Sequence, residues 1–284
     1  MINKALLQKR FNKAASTYDE YANVQKKMGD VLIQKLCQTY TSHARLSILE
    51  LGCGTGYVTE QLLNSFPYAS VTAVDFAPHM IEQAKKRRGA EKAAFICGDI
   101  EKISFSGPYD VIISNATFQW LNDLQGTVAR LCEALHDNGA LMFTTFGNET
   151  FQELHLSFQQ AVGSLEGKDE RAVGQSFFTA QQLKELCEPQ GHVSMQQARY
   201  IEWFSTVRDF LDSVRKIGAA NSNDGISSQS PSVFRNMIRL YEEQFQQNGC
   251  IPATYHALFC SIMKQGEKKD GTRTNENGLE AARA

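Results

Sequence analysis

Residues 47–58 have the sequence SILELGCGTGYV, and this stretch decides the fold of the chain. An apolar run containing Glu50 is followed by three glycines at alternate positions and then by helical spacing, which predicts a strand, a tight loop and a helix. Glycine permits positive φ and lets a ligand approach the backbone, while the start of the next helix offers free N–H groups. The loop is typical of a site for a nucleotide-like ligand.

The spacing of the glycines separates two classes of nucleotide site. A dinucleotide fingerprint would need a third glycine where this chain has Tyr57 or Thr59, which disfavours a nicotinamide dehydrogenase. The pattern E-x-G-x-G-x-G resembles instead the first motif of the Rossmann-like methyltransferases that use S-adenosylmethionine (SAM). That resemblance implies that Glu50 and the loop glycines line the methionine end of SAM. These glycines are Gly52, Gly54 and Gly56. A glycine-rich turn without a ligand is the alternative.

Size and composition fit a globular enzyme. The chain has 284 residues, 42% of them hydrophobic, enough for one large domain or one domain with an insertion. No apolar run approaches the roughly 20 residues that cross a bilayer, and the first residues lack the form of a signal peptide. Its seven scattered cysteines include no C-x-x-C pair, which favours buried thiols over a metal site or disulfides. We expect a cytoplasmic protein without a metal or a membrane contact.

Strands and helices alternate along the chain. This predicts an α/β fold with a mostly parallel, seven-stranded sheet covered by helices on both faces. The predicted strands are 47–52, 70–75, 93–97, 109–115, 139–146, 192–204 and 253–260, the last two pairing as a closing hairpin. The predicted helices are 3–17, 24–39, 57–66, 78–88, 122–136, 150–164 and 179–188, with further helical patterns between the last two strands.

The pattern divides the chain into a Rossmann-like SAM-binding domain and additions. The domain comprises residues 46–204 and 250–264, and residues 1–45 form an N-terminal helical cap. Residues 205–249 form a helical insertion expected to cover the substrate, with a polar break at 221–230, and a polar loop lies near 165–175. The charged stretch 265–284 is expected to be a disordered tail. Tyr18 lies where the cap could fold over the cofactor as a lid; a helix-end anchor is the alternative.

The second strand ends in Asp75, about 20 residues after the glycine loop, where a carboxylate can accept hydrogen bonds from ribose hydroxyls. A cap for the helix starting near Pro78 is the competing interpretation. Phe76 and Met80 would supply apolar walls for the adenine.

Two further strand ends carry predicted cofactor contacts. The third strand ends in a sequence that resembles a methyltransferase motif, which implies that Asp99 accepts from the adenine amino group while Ile100 packs on the ring. A turn aspartate is the alternative. After the fourth strand, Asn115 and Ala116 would face the sulfonium, and Trp120 offers an aromatic wall for a positive charge. A buried aromatic of the core is the alternative for Trp120.

Several motifs together resemble one family more selectively. They are LQKRFNKAASTYD at 7–19, YANVQ at 21–25, LELGCGTG at 49–56, NATFQW at 115–120, RKIGA at 215–219 and PATY at 252–255. Across roughly residues 7–263 the chain resembles the BioC family, the malonyl-[acyl-carrier protein] O-methyltransferases of biotin synthesis. The resemblance implies that Tyr18 and Gln25 belong to the cofactor site, with Tyr18 as a candidate for orienting the reactants.

The resemblance also implies a reaction. A methyl group passes from SAM to the free carboxylate of a malonyl thioester, giving a neutral methyl ester that primes pimeloyl synthesis, and S-adenosylhomocysteine (SAH). No Ser-His-Asp or Cys-His grouping can be assembled from the sequence, and none is needed, because a carboxylate is already ionised at pH 7. Arg199 and Lys216 are the candidates for binding that carboxylate; ordinary surface cations are the alternative.

The expected partner is an acyl carrier protein, which is acidic. Residues 1–45 carry eight Lys or Arg against three acids, so this basic face could dock it; solvated helix faces without a partner are the alternative. The net charge of −2 does not indicate a nucleic-acid partner. Competing functions are methylation of another small carboxylate or a quinone precursor, and a non-catalytic module that binds SAM or a carrier.

Overall fold

The computed structural model describes residues 1–163, 175–219 and 231–265. The predicted polar segments at 165–175 and 221–230 and the predicted tail at 265–284 lie outside the described residues, apart from Gln175 and Gln265. The strands are β1 (Ser47–Leu51), β2 (Ser70–Asp75), β3 (Ala93–Cys97), β4 (Tyr109–Ser114), β5 (Leu135–Phe146), β6 (His192–Phe204) and β7 (Ile251–Met263).

The helices of the described residues follow the predicted alternation. They are α1 (Lys4–Ala14), α2 (Tyr18–Tyr21), α3 (Asn23–Thr39), α4 (Tyr57–Ser65), α5 (Pro78–Ala84), α6 (Leu124–Glu133), α7 (Gln152–Gly163), α8 (Ala180–Cys187), α9 (Val207–Lys216) and α10 (Pro231–Phe245). Short 3₁₀ turns cover Ala90–Lys92, Phe118–Trp120 and Glu188–Gln190. None of the described helices combines the length and apolar character that crossing a bilayer requires.

The sheet has the order β3-β2-β1-β4-β5-β7-β6. Strands β1 to β5 run parallel to one another, whereas β7 runs antiparallel to both β5 and β6. The predicted closing hairpin is confirmed, with Arg199 opposite His256 and Trp203 opposite Pro252. The order reverses between β1 and β4, and ligands bind beyond the carboxyl ends of strands near such a switch point.

Helices cover both faces of the sheet, as predicted. Neighbouring residues of a strand point to opposite sides, so each packs against helices on a different face. Leu49 and Ile112 belong to a buried cluster that includes α6 and α8. Ile48 and Val111 belong to another that includes α3 and α4. The central strands β1 and β4 are thus buried on both sides, which explains their continuous apolar sequences.

Some predicted boundaries are wrong, each for a local reason. The first helix does not continue to residue 17, because a turn after Ala14 separates it from α2, which begins at Tyr18. The predicted helix 78–88 already ends at Ala84, and the turn that follows leads to Gly89, which has a φ of 78°. Strand β5 begins at Leu135 instead of 139, because Leu135 pairs with Tyr109 ahead of a register shift.

Candidate active site

The glycine loop joins β1 to α4 and has the backbone shape that its sequence predicts. Gly52 has a φ of 69°, and a Cβ built there would lie 2.1 Å from the Thr117 Oγ1. Gly54 has a φ of 53°, and a Cβ there would have no heavy atom within 4 Å. Gly52 is therefore needed for close packing against the turn after β4, whereas Gly54 faces open space where a ligand can approach the backbone.

Asp75 connects the end of β2 to this loop. Its Oδ2 accepts from the backbone N–H of Gly54 at 2.9 Å, and its Oδ1 accepts from that of Ala77 at 2.8 Å. Burial raises the pKa of Asp75 to about 6, against the opposing effect of the backbone N–H groups. The carboxylate thus holds the turn before α5 without capping the helix, whose N-cap residue is Ala77, and it also lines the cavity above the loop. The backbone N–H groups leave part of the acceptor capacity of the carboxylate for a ligand hydroxyl.

Two adjoining cavities lie at this edge of the sheet. The larger cavity, of about 600 Å³, lies over the carboxyl ends of β1 to β4. Its walls combine acids at strand ends with apolar and aromatic side chains, a composition that suits a nucleoside. The lining residues are Lys4, Leu7, Phe11, Tyr18, Gly52, Gly54, Asp75, Phe76, Met80, Asp99, Ile100, Asn115, Ala116, Thr117, Trp120 and Leu121. The structure therefore brings most of the residues predicted for the cofactor to a single cavity.

A smaller and more polar cavity, of about 400 Å³, adjoins the first. Its lining includes Gln25 and Glu50. Four residues line both cavities: Tyr18, Gly52, Gly54 and Asn115. The junction of the two cavities is thus where a ligand with a nucleoside at one end and an amino acid at the other would have its centre.

Glu50 lies under the smaller cavity and is 2% exposed. Its Oε2 accepts from the Thr59 Oγ1 at 2.6 Å. Burial raises the pKa of Glu50 to about 7, with Asp75 adding to the rise and the Thr59 hydroxyl opposing it. A cation bound in this cavity would favour the ionised form of Glu50.

The first two helices close the cavities from above. Leu7 and Phe11 of α1 line the larger cavity, and the Phe11 ring meets Trp120 and Phe76 edge-on, with centroids 5.7 and 6.1 Å apart. The Lys4 Nζ pairs with Glu101 at 2.5 Å and with Asp99 at 3.5 Å. These contacts hold α1 against the sheet edge where the adenine contacts were predicted.

Tyr18 lies on the boundary of both cavities. Burial, reinforced by Asp75 and Asp19, raises the pKa of Tyr18 far above its ordinary value. The phenol therefore stays protonated at neutral pH and can donate a hydrogen bond, but it cannot act as a base.

The turn after β4 is held in a strained conformation beside the cavities. Ala116 has a φ of 50°, which costs a residue with a Cβ about 1–2 kcal/mol. Its N–H donates to the Thr144 Oγ1 at 2.9 Å, and the same hydroxyl donates to the Asn115 Oδ1 at 2.7 Å. The Asn115 Nδ2 donates in turn to the Gln25 carbonyl at 2.9 Å, so the turn is tied to α3.

Three predicted residues do not line either cavity. A Cβ on Gly56 would lie 2.9 Å from Ala84, so this glycine serves helix packing. The Arg199 Nη2 pairs with the Glu149 Oε2 at 2.5 Å. The Lys216 Nζ stacks 4.2 Å from the centroid of the Tyr21 ring, at the surface. Binding of a substrate carboxylate by Arg199 or Lys216 stays a prediction.

Sequence reasoning missed the contribution of the cap side chains. Lys4, Leu7 and Phe11 were not predicted to line the site, and neither were Asp19 and Lys26 of the smaller cavity. The helical spacing of Leu7 and Phe11 was visible in the sequence, but it marks an apolar face without saying what that face covers.

Sequence reasoning also missed a link from α2 to the glycine loop and to the turn after α5. The Asp19 carboxylate accepts from the Thr55 Oγ1 and pairs with Arg87, each at 2.6 Å. Among the described residues no group of His, Cys, Asp or Glu has a metal-binding arrangement.

Comparison with known proteins identifies the class to which the fold belongs. Residues 48–139 match the family model of a methyltransferase domain. The solved structure of the YcgJ protein from Bacillus subtilis is similar with a TM-score of 0.57, at 15% identity, over 84% of this chain and 99% of that chain. The fold and the site define a Rossmann-like class I methyltransferase.

Curated relatives narrow the class. The malonyl-[acyl-carrier protein] O-methyltransferase of Bacillus cytotoxicus is 53% identical over 281 residues, 99% of each chain. That of Bacillus anthracis is 54% identical over 269 residues, 94% of this chain and 100% of the relative. The chain belongs to the malonyl-[acyl-carrier protein] O-methyltransferase family.

Proposed function

We propose that the protein transfers the methyl group of SAM to the free carboxylate of a malonyl thioester carried by an acyl carrier protein. The products are the malonyl-thioester methyl ester, which would prime pimeloyl synthesis for biotin, and SAH. The relatives named malonyl-[acyl-carrier protein] O-methyltransferase match nearly the whole chain. The observation that carries the proposal is the meeting of a nucleoside-like cavity and a polar cavity at Tyr18, Gly54 and Asn115.

The chain offers matching groups for each part of the cofactor. Asp75 would accept from the ribose hydroxyls, and Phe76 and Met80 would flank the adenine, with Asp99 at its amino group. Glu50 lies in the smaller cavity, where its carboxylate suits the ammonium of the methionine half. Bound SAM supplies a methyl group on a positively charged sulfur, and the residues around it bind, orient and exclude water.

The acceptor needs orientation more than proton removal. A carboxylate is ionised at neutral pH, and the described residues that line the two cavities include no histidine to serve as a base. A cation that binds the carboxylate tightly in the ground state would slow the reaction, because the acceptor loses its charge in the transition state. The barrier is then lowered mainly by holding the carboxylate oxygen in line with the methyl group in a dry site.

Arg199 and Lys216 stay in the proposal as candidates for steering the acceptor carboxylate. The Arg199 side chain is 54% exposed and forms an ion pair with Glu149. An Arg199→Ala variant is expected to raise the KM for the malonyl thioester without changing SAH affinity, and Glu149→Ala, which frees the arginine, serves as the matched control. Unchanged kinetics in Arg199→Ala would remove this residue from the site.

The partner and the compartment belong to the same proposal. Lys9 and Lys13 are exposed on α1, and Lys216 is exposed nearby, since its carbonyl accepts from the Thr17 Oγ1 at 2.9 Å. These charges would attract an acidic carrier protein. The cysteines of the chain are free thiols, which suits the reducing cytoplasm.

Methylation of defined acceptors tests the proposal. The purified chain is incubated with methyl-labelled SAM and malonyl, succinyl or acetyl carrier protein, and the product is identified by mass spectrometry. Labelled methyl ester is expected on malonyl carrier protein, and none on the acetyl form, which lacks the carboxylate. Calorimetric binding of SAH without ester formation on malonyl carrier protein would overturn the proposed reaction while leaving the cofactor site intact.

A further inference from the structure

A third cavity lies beside the cofactor site and is larger than either part of it. This cavity, the side groove, is open to solvent, has a volume of about 1380 Å³ and is lined by residues that include Gln119, Thr145, Phe146, Gln175 and Phe177. It shares Leu121 with the larger cofactor cavity.

The short 3₁₀ turn at Phe118–Trp120 forms the wall between the two spaces. Thr117 and Trp120 line the cofactor cavity, whereas Phe118 and Gln119 line the groove. Thr145 and Phe146 end β5, the strand next to β4. The groove therefore begins at the same edge of the sheet as the cofactor site, beyond strands that the cofactor cavity leaves uncovered.

The chemistry of the lining restricts its occupant. No charged side chain occurs among the described residues that line the groove. Phe146 and Phe177 meet edge-on with centroids 6.2 Å apart, and three glutamine amides, including Gln119 and Gln175, lie around them. A charged ligand would find no charged side chain among the described lining residues, whereas a neutral chain of methylenes and amides is matched by both the aromatic rings and the glutamine amides.

Gln119 connects the groove to the cofactor site. Its Nε2 donates to the Ala116 carbonyl at 2.6 Å, and its Oε1 accepts from the Thr145 Oγ1 at 3.0 Å. Gln175 donates to the backbone carbonyl of Gln119. The Nε2 of Gln119 retains one further N–H donor and the Oε1 retains one further lone pair, because an amide has two N–H donors and two oxygen lone pairs. Gln119 thus fixes the strained Ala116 on one side and can bind an amide of a ligand on the other.

We propose that the side groove binds the pantetheine-type arm of the thioester acceptor, with Gln119 as the positioning residue that directs the arm toward the methyl donor. This inference rests on the proposed function, which supplies the thioester. A neutral arm with two amides is common to acyl carrier proteins and coenzyme A, so the groove recognises the chemistry that these two carriers share. The acidic carrier protein itself would remain outside the groove.

Site-directed alkylation tests the binding of the arm independently of methyl transfer. A Ser176→Cys variant places a thiol in the lining, and bromoacetyl-pantetheine is compared with bromoacetamide, which has a similar electrophile but no arm. Binding of the arm should raise the relative alkylation rate of position 176 at least about tenfold, since a tethered group reaches millimolar effective concentrations. Cys37, which is exposed on α3 outside the groove, reports intrinsic reactivity in the same sample. Equal acceleration at both thiols would overturn the proposal.

Turnover provides the second measurement. Phe177→Asp puts a charge into the groove, and Tyr68→Asp introduces the same charge at an aromatic side chain that is 57% exposed elsewhere. We expect kcat/KM to fall about tenfold for malonyl-pantetheine, malonyl-coenzyme A and malonyl carrier protein alike in Phe177→Asp, with SAH affinity and the Tyr68→Asp variant unchanged. Unchanged turnover in Phe177→Asp, or a fall confined to one carrier, would overturn the proposal.

Failure of this inference differs from failure of the proposed function. If the wild-type protein forms no malonyl methyl ester, the proposed reaction falls, yet the alkylation result still decides whether the arm binds. If the ester forms but neither assay distinguishes the groove, the reaction stands and the arm binds elsewhere.

Discussion

The carboxylate of Asp75, at the end of β2, accepts a hydrogen bond from the backbone N–H of Gly54 at 2.9 Å. This bond joins the acid predicted to bind the ribose to the loop predicted to cradle the cofactor. The same side chain therefore shapes the loop and lines the cavity, and its replacement affects both.

Asp75→Asn is expected to weaken SAH binding about 10- to 100-fold. The variant keeps the size of the side chain but loses a charged acceptor, and hydrogen bonds to charged groups contribute roughly 1.5–3 kcal/mol. Titration calorimetry with SAH measures the change, and Asp137→Asn, at an exposed position on β5, is the matched control. SAH affinity within twofold of wild type would remove Asp75 from the ribose site.

Glu50 gives the folded protein a pH-dependent stability. Burial raises the pKa of Glu50 to about 7 in the folded state, so the folded chain binds this proton more tightly than the unfolded chain. The stability that the folded chain gains by holding a proton on Glu50 is fully present below the pKa that Glu50 has in the unfolded chain, and it is lost as the pH rises through about 7. In the absence of ligand, the free energy of unfolding should fall by roughly 2 kcal/mol between pH 5 and 8 from this group.

Glu50→Gln should remove most of that slope in urea unfolding curves recorded from pH 5 to 8. A smaller slope at the acid end is expected to remain, because burial also raises the pKa of Asp75, to about 6. Asp137→Gln provides a control with the same change of charge at the surface. A variant with the full wild-type slope would show that another group is responsible.

The sequence predicts those parts of the site that follow directly from strand ends. Asp75, Phe76 and Met80 come together because an apolar strand, a terminal acid and the proline-initiated helix fix their positions locally. Lys4 and Asp99 are 95 residues apart, and their contact depends on how α1 docks, which the periodicity of one helix does not specify.

The same limit applies to the predicted substrate cation. Arg199 was recognisable as a cation on a predicted strand, but its partner Glu149 lies 50 residues away along the chain, in the segment after β5. Pairing across a sheet follows from the packing of elements, and a single sequence gives no direct signal for it. Long-range side-chain partners therefore had to come from the structure.

The contacts of Phe11 predict that α1 slows the release of the cofactor. Phe11→Ala removes two edge-on aromatic contacts, each worth about 0.5–1.5 kcal/mol, while leaving the rest of α1 in place. The dissociation rate of SAH should rise about tenfold in stopped-flow experiments. Leu6→Ala, on the same helix but 38% exposed, should leave the rate unchanged. Equal rates in wild type and Phe11→Ala would mean that α1 does not retain the ligand.

A comparison of alanine variants at Gly54 and Gly89 distinguishes the effect of backbone strain from that of contact with the ligand. Both have positive φ, 53° and 78°, and a Cβ on either would meet no heavy atom within 4 Å. Gly54→Ala and Gly89→Ala should therefore each lose about 1–2 kcal/mol of unfolding free energy from strain alone, measured by urea denaturation. Only Gly54→Ala should also lose SAH affinity, by at least about tenfold, because its methyl group would occupy the cavity where the ligand approaches the backbone. Equal losses of SAH affinity in the two variants would mean that the loop acts through stability and not through contact with the cofactor.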